Sequence, residues 1–331
     1  MDISRVDPAG VGLELAELLV AVDGASMAAA GLPIPTEPGP SRMTSLHYGN
    51  GGRPLDALWV AGSLEAPLAW ATLELPTRDN LGAAMVRGVV RPEHRRAGIG
   101  RELLRAATGL ARERGRTALH AGAWEGTDGV GFLEAQGFSS TGQQRYTVRR
   151  LDLHEDLARV ERLRAEAAAG AADYELVRLR EPAPDDLVPG LVALHEAIND
   201  APADAGQEPD VWDAARVREY DAAMARRHQT TYRVLARHLP SGAWAGMTLL
   251  CVDEFAPSVA FQEDTNVVRA HRGHRLGLLL KCDLQQWIAA ERPEVGSTQT
   301  WNATDNHHMI AVNERLGCEV VAHHVGFRRA V

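Results

Sequence analysis

Cysteine is scarce in this chain of 331 residues: Cys251, Cys282 and Cys318 are the only three, and none form a Cys-x-x-Cys pair. That excludes a disulfide framework and a thiolate zinc site as the organising device. Lysine is scarcer still. Lys281 stands alone among basic residues that are otherwise arginine, a uniform bias that makes an isolated arginine uninformative. Aromatic residues make up 5% of the chain. No window approaches the roughly eighteen uncharged apolar residues of a membrane helix. The opening MDISRVDPAG carries two acids and no apolar stretch, so no secretory signal is expected. These absences predict a soluble, cytoplasmic protein with no membrane partner and no metal.

What is present looks globular. The chain is 45% hydrophobic and 24% charged, which excludes a disordered or fibrous protein. At 331 residues it exceeds what one hydrophobic core usually organises, so two domains are expected. A formal net charge of −9 argues against a nucleic-acid partner. The acid is concentrated: residues 151–213 hold sixteen Asp and Glu against five Arg. Such a segment attracts a cationic amine or serves as a solvated linker and helix surface, and both readings stay open.

An internal similarity organises the rest. The segment Val89-Val90-Arg91-Pro92-Glu93-His94-Arg95-Arg96-Ala97-Gly98-Ile99-Gly100 is echoed by Asn266-Val267-Val268-Arg269-Ala270-His271-Arg272-Gly273-His274-Arg275-Leu276-Gly277. Arg95 and Arg272 lie 177 positions apart, and Gly137 and Gly317 lie 180 apart. In the first copy, 57–61, 69–75, 83–90 and 118–124 read as strands, and 100–114 as an amphipathic helix with Leu103, Leu104, Ala107 and Leu110 on one face. In the second, 231–237, 244–252, 259–268 and 298–302 read as strands, and 277–290 and 306–316 as helices. Each copy opens with helices: 11–22 in the first, 186–199 and 211–227 in the second. The division expected is residues 1–150, a connecting helix or linker over 151–172, and residues 173–331.

A strand entering a short Arg/Gly loop and then a helix suits a phosphate. Free N–H groups and the dipole at the helix N-terminus favour an anion, and glycine lets the backbone approach it. No Gly-Lys-Ser/Thr follows, so this is not a P-loop, and its position is not that of a dinucleotide fingerprint.

The run Val90-x-Pro92-x-x-Arg95-x-x-Gly98-x-Gly100 resembles the acyl-CoA pyrophosphate loop of the GNAT superfamily of N-acetyltransferases. Asn306-x-x-Met309-x-x-x-Asn313-x-x-x-Gly317 resembles the family's segment after the fifth strand. The resemblance covers nearly the whole chain, as in two-domain actinobacterial acetyltransferases of the mycothiol synthase type. It implies an α/β fold of two tandem GNAT units, each a mixed, mostly antiparallel sheet whose fourth and fifth strands splay apart between flanking helices. It implies acetyl-CoA as acyl donor and transfer to a primary amine of a small molecule, by a monomer or homodimer. The implied CoA contacts are Val89, Val90, Arg91, Arg95, Arg96, Ala97, Gly98, Ile99, Gly100 and Arg101 in the first copy. In the second they are Val267, Val268, Arg269, Arg272, Gly273, His274, Arg275, Leu276, Gly277 and Asn306.

The copies depart from the family pattern differently. The first has Leu133 at the tyrosine acid's position, Gly126 at the asparagine's, and no carboxylate on its fourth strand, which fits acyl-CoA binding without chemistry. The second has Arg275 at the loop glycine, with Gly273 expected to shift the turn, and Asn313 at the tyrosine. Its fourth strand carries Glu263 and Asp264. Family members place a glutamate at the position of Phe261, and strand alternation sets Glu263 on the same face. Glu263 is thus the candidate base, Asp264 its neighbour and Asn313 a weak proton donor; the alternative is that both acids are solvated strand-edge charges. A non-catalytic acyl-CoA-binding module is the competing function. Asp200, Asp204, Glu208 and Asp210 are candidate acceptor-cleft residues. His307 and His308 read as capping or exposed residues, His94 and His271 as loop-shaping, Trp301 as core, and Cys318 as packing.

Overall fold

A computed structural model describes residues 2–140, 145–155, 157–200 and 208–331. Backbone contacts divide the described residues into two compact units, 2–140, 145–146, 208 and 321–331 in one, and 147–155, 157–200 and 209–320 in the other.

The first unit holds strands β1 (Ile3–Val6), β2 (Ala57–Ser63), β3 (Ala66–Glu74), β4 (Ala83–Val90) and β5 (Ala118–Trp124). Its helices are α1 (Leu13–Ala29), α2 (Gly39–Tyr48), α3 (Ile99–Glu113) and α4 (Asp128–Ala135). β1 to β4 pair antiparallel in sequence, and β4 pairs parallel with β5. One face of the sheet is covered by α1 and α2 through Leu19, Val22, Leu46 and Trp70. The other packs the apolar stripe Leu103, Leu104, Ala107 and Leu110 of α3 against Leu73, Val86 and Leu119, as the 3.6-residue period requires. The sixth strand is the chain's end, β12 (Glu319–Ala330), antiparallel to β5 with Phe327 opposite Ala121. Val325 and Phe327 from it are buried in the first unit's core.

The second unit repeats this plan. It holds β6 (Arg145–Asp152), α5 (Leu157–Ala168), β7 (Tyr174–Arg180), α6 (Val188–Glu196), α7 (Ala214–Arg226), β8 (Gln229–His238), β9 (Trp244–Asp253) and β10 (Val259–Val267). These are followed by α8 (Leu276–Glu291), β11 (Ser297–Ala303) and α9 (His307–Leu316). The strand order is β7-β8-β9-β10-β11-β6, matching β1-β2-β3-β4-β5-β12 position for position. The last strand of each sheet has therefore changed places: the strand after α4 completes the second unit, and the strand after α9 completes the first. Leu151 and Leu153 accordingly pack with Leu278, Leu284 and Leu316.

This revises the division read from the sequence. Residues 151–172 do hold a helix, α5, but it belongs to the second unit and does not link the two. α5 packs on α8 with Val160 and Ala167 in the second unit's core, and 321–331 belongs to the first. An alternating strand carries no mark of which sheet will pair with it, so order along the chain misplaces both. The structure also adds β1, β7 and α2, too short or too polar to stand out. No helix among the described residues is long and apolar enough to cross a membrane.

Candidate active site

The two Arg/Gly loops have one backbone shape. After β4, a single 3₁₀ turn (Pro92–His94) leads to two left-handed residues, Arg96 (φ 64°) and Gly98 (φ 84°), and then α3. After β10, the turn Arg269–His271 leads to Gly273 (φ 89°) and Arg275 (φ 58°), and then α8. Gly273 does not shift the turn, contrary to expectation. The loops use the same two left-handed positions and place their glycine at opposite ones. Arg275 accepts a conformation that costs a side-chain-bearing residue about 1–2 kcal/mol. Its guanidinium turns to Glu166 of α5 (2.8 Å), which also holds Arg315 of α9 (2.8 Å).

Among the described residues no side chain caps either helix, so the first N–H groups of α3 and α8 are available to an anion. At α3 the opening is a cleft of about 500 Å³ lined by Ala97, Gly98, Ile99, Arg101, Glu102 and Arg105, with Ile3. The donor set fits a nucleotide diphosphate. Arg95 and Arg272 instead act as buckles. Arg95 Nε donates to the Val90 carbonyl (3.4 Å) and Nη2 to Ser26 Oγ (2.8 Å). Arg272 Nε donates to the Val267 carbonyl (3.1 Å) and Nη2 to Asp200 (2.8 Å). Arg91 Nε is used on the Pro67 carbonyl (2.9 Å). His271 shapes its loop through the Tyr174 hydroxyl (3.0 Å).

In both units the fourth and fifth strands part. β4 and β5 pair only from Ala83–Ala118 to Met85–His120, and β10 and β11 only from Val259–Ser297 to Gln262–Thr300. The units differ at that fork. β4 runs against β3 in unbroken register. β10 carries a bulge: Gln262 faces Leu250 and Thr265 faces Thr248, so Glu263 and Asp264 together oppose Leu249. Gln262 Nε2 donates to the Leu249 carbonyl (2.6 Å) and to Thr248 Oγ1 (3.0 Å), and the Thr265 and Thr248 hydroxyls bond at 2.8 Å. These contacts pin the irregularity.

The bulge sets the direction of both acids. Gln262 meets Gln285 of α8 (3.4 Å), and Thr265 shares that face through Thr248. The two residues between them are therefore both turned toward the α6/α7 face. Simple alternation would have separated Glu263 from Asp264. Glu263 is exposed to solvent as a residue, while protein packed around its carboxyl removes part of its hydration. This desolvation, reinforced by the Asp264 charge and opposed by Arg227, pushes its carboxyl up to about 7. Burial, then Asp210, pushes Asp264 up to about 6. Tyr220 of α7 lies nearby, its hydroxyl 3.7 Å from Cys251 Sγ, and burial holds it well above the usual phenol range, with Cys251 and Glu263 adding to the effect. Beneath them the buried Asp221 and Arg233 pair at 2.6 Å.

Other predicted residues fall elsewhere. Asn313 is fully buried and donates through Nδ2 to Asn302 Oδ1 (2.7 Å), so its amide is enclosed. Asn306 caps α9, its Oδ1 accepting from the Met309 N–H (3.2 Å). His307 and His308 are exposed on the first turn of α9. Cys318 is half-buried against the core. Trp301 is not core: it is 42% exposed. Asp200 is bound to Arg272, and Asp204 lies outside the described residues. No group of His, Cys, Asp or Glu suited to a metal occurs among the described residues. In the first unit the fork instead presents Arg87 on β4 and His324 on β12. The His324 ring fills the space over Gly122, and burial, then Arg87, pushes it down to about 4.

Comparison with known proteins agrees with this geometry. Residues 27–138 match the acetyltransferase (GNAT) family. The chain is 26% identical to a tandem GNAT protein from the clavulanic acid biosynthesis pathway, solved without AcCoA, over 99% of this chain and 98% of that one, at a TM-score of 0.77. A GCN5-related N-acetyltransferase from Sphaerobacter thermophilus shares the fold at 12% identity, 99% and 95% coverage and a TM-score of 0.69. A fungal glucosamine N-acetyltransferase region of a multi-domain GH3 β-N-acetylglucosaminidase does so at 12% identity, 98% and 38% coverage and a TM-score of 0.67. Among curated proteins none matches. An uncapped helix behind a doubly left-handed loop, set beside a forked pair of strands and built twice, thus places a GNAT acetyltransferase domain at residues 27–138 within a chain that has the tandem GNAT fold throughout.

Proposed function

We propose that the second unit is the catalytic centre of an acetyl-CoA-dependent N-acetyltransferase acting on a primary amine of a small molecule in the cytoplasm. The observation that carries this reading is the β10 bulge, which sets two carboxylates on one face where the strands part. The donor, a substrate, supplies the thioester. The N-terminus of α8 would hold its diphosphate, and the unpaired edge of β10 beyond Gln262 would hold its pantetheine arm.

Glu263 is then the base. Its carboxylate takes a proton from the acceptor ammonium, leaving a neutral amine to attack the thioester carbonyl. The C–N bond forms as the C–S bond breaks. A backbone N–H at the irregular strand opposes the charge gathering on the carbonyl oxygen. The nitrogen's second proton leaves as the amide forms; with Asn313 enclosed, water relays it to the departing thiolate, and Glu263 returns the first proton to solvent. A base near pH 7 matches proton transfer at neutral pH. The first unit has the loop and the cleft at α3 but Arg87 where a carboxylate would be needed, and is read as an acyl-CoA-binding unit without chemistry.

The test is a thiol-release assay with acetyl-CoA and a panel of amines, comparing wild type with Glu263→Gln. Turnover by wild type that collapses in the variant, with CoA affinity retained, supports the assignment. CoA binding without turnover of any amine would instead make the whole chain an acyl-CoA-binding module.

A further inference from the structure

We infer that Trp301 is the platform for the acceptor, and that the acceptor is an amine with no carboxylate beside its amino group. This rests on the acetyltransferase reading above. β11 leaves its last paired residue at Thr300, opposite Gln262. The next residues on the two strands are Trp301 and Glu263. Asn302 turns to Asn313 of α9, so Trp301, one position away, turns to the opposite face, the one Glu263 takes. An indole 42% open to solvent therefore flanks the carboxylate at the mouth of the fork.

Two positions back on the same face, Gln299 is 2% exposed and lies opposite Phe261, where the strands are still paired. The indole face attracts an ammonium and covers the CH surface next to it. The surrounding charge is mainly negative: Asp264 and Asp210 act on each other, and Arg227 is the cation acting on Glu263. A carboxylate on the acceptor's α-carbon would enter this group of acids and be repelled.

The experiment uses the full chain, acetyl-CoA and matched pairs differing only by that carboxylate: phenethylamine and phenylalanine, tyramine and tyrosine, histamine and histidine. The expected result is that each amine exceeds its amino acid by at least about tenfold in kcat/KM, since a like charge within several ångströms is strongly disfavoured. Trp301→Ala should raise the amine KM by about five- to thirtyfold, the range of a cation–π contact, with kcat and CoA affinity kept and Trp301→Phe recovering part of the loss. Asp210→Asn should narrow the amine-to-amino-acid ratio. Amino acids turned over as well as their amines, or Trp301→Ala weakening CoA instead of the amine, would overturn the inference. If CoA binds wild type but no pair is turned over, the acetyltransferase reading itself falls, and this inference with it.

Discussion

Glu263→Gln is the perturbation that separates chemistry from folding. Glutamine keeps the size and hydrogen-bonding reach of the side chain and removes its ability to accept a proton. A positioned general base contributes roughly 10²–10⁴ in rate, or about 3–5 kcal/mol of barrier, so kcat should fall by that factor with CoA affinity retained. The wild-type profile should carry an acid limb centred near pH 7, because the carboxyl titrates there and only its ionised form accepts the proton. At pH 6 roughly a tenth of the base is active; the glutamine variant should lose this limb. The stability sign is opposite. Because the folded pKa is raised above the usual carboxylate value, the folded state binds the proton more tightly. The carboxyl therefore favours folding at low pH and loses that contribution as pH rises through about 7. Thermal unfolding should show the variant no less stable than wild type at pH 8, with its relative stability higher there than at pH 5. A variant that keeps most of its kcat, or an unchanged acid limb, would refute Glu263 as the base.

Other expectations are separable. Asp221→Ala leaves the buried Arg233 guanidinium without its partner and should cost about 3–5 kcal/mol by denaturant unfolding; Arg233 and Asp221 replaced together by apolar residues should recover much of it. Phe327→Ala should cost about 3–5 kcal/mol and act on the first unit, although residue 327 is near the chain's end; protease mapping of the opened region checks which unit loosens. Gly100→Val drives a side chain against the Phe132 ring, already 3.3 Å from the position of a Cβ. It should weaken CoA at the first loop by calorimetry while leaving second-unit turnover in place.

Much of the architecture was legible in the chain. The 3.6-residue stripe of α3, the Pro/Gly punctuation of the first loop and the repeat offset of 177 to 180 each express local physics or duplication, so the doubled fold followed. The offset itself hinted at more. Its rise from 177 at the loops to 180 at Gly137 and Gly317 shows that the copies differ in length between those points. The site was less legible. Alternation reaches Glu263 but gives no reason for Asp264 to join it on one face, because a bulge has no residue signature of its own here. The place of Trp301 after the strand beneath the CoA channel favours core over a ligand platform; its exposure follows from the strands parting one residue earlier.

The sequence by itself determined that there are two copies, that each has a phosphate-shaped loop ahead of a helix, and that only the second carries acids on its fourth strand. Those features depend on residues close in the chain, whose backbone preferences and side-chain periods are fixed locally. Only the tertiary structure decided that the last strands of the two copies are exchanged, that Asn306 is committed to capping α9 and Asn313 to Asn302 of β11, and that Glu263, Asp264 and Trp301 share one face. Pairing between strands is settled by hydrogen bonds and packing across more than a hundred residues of chain, and nothing within one strand encodes its partner.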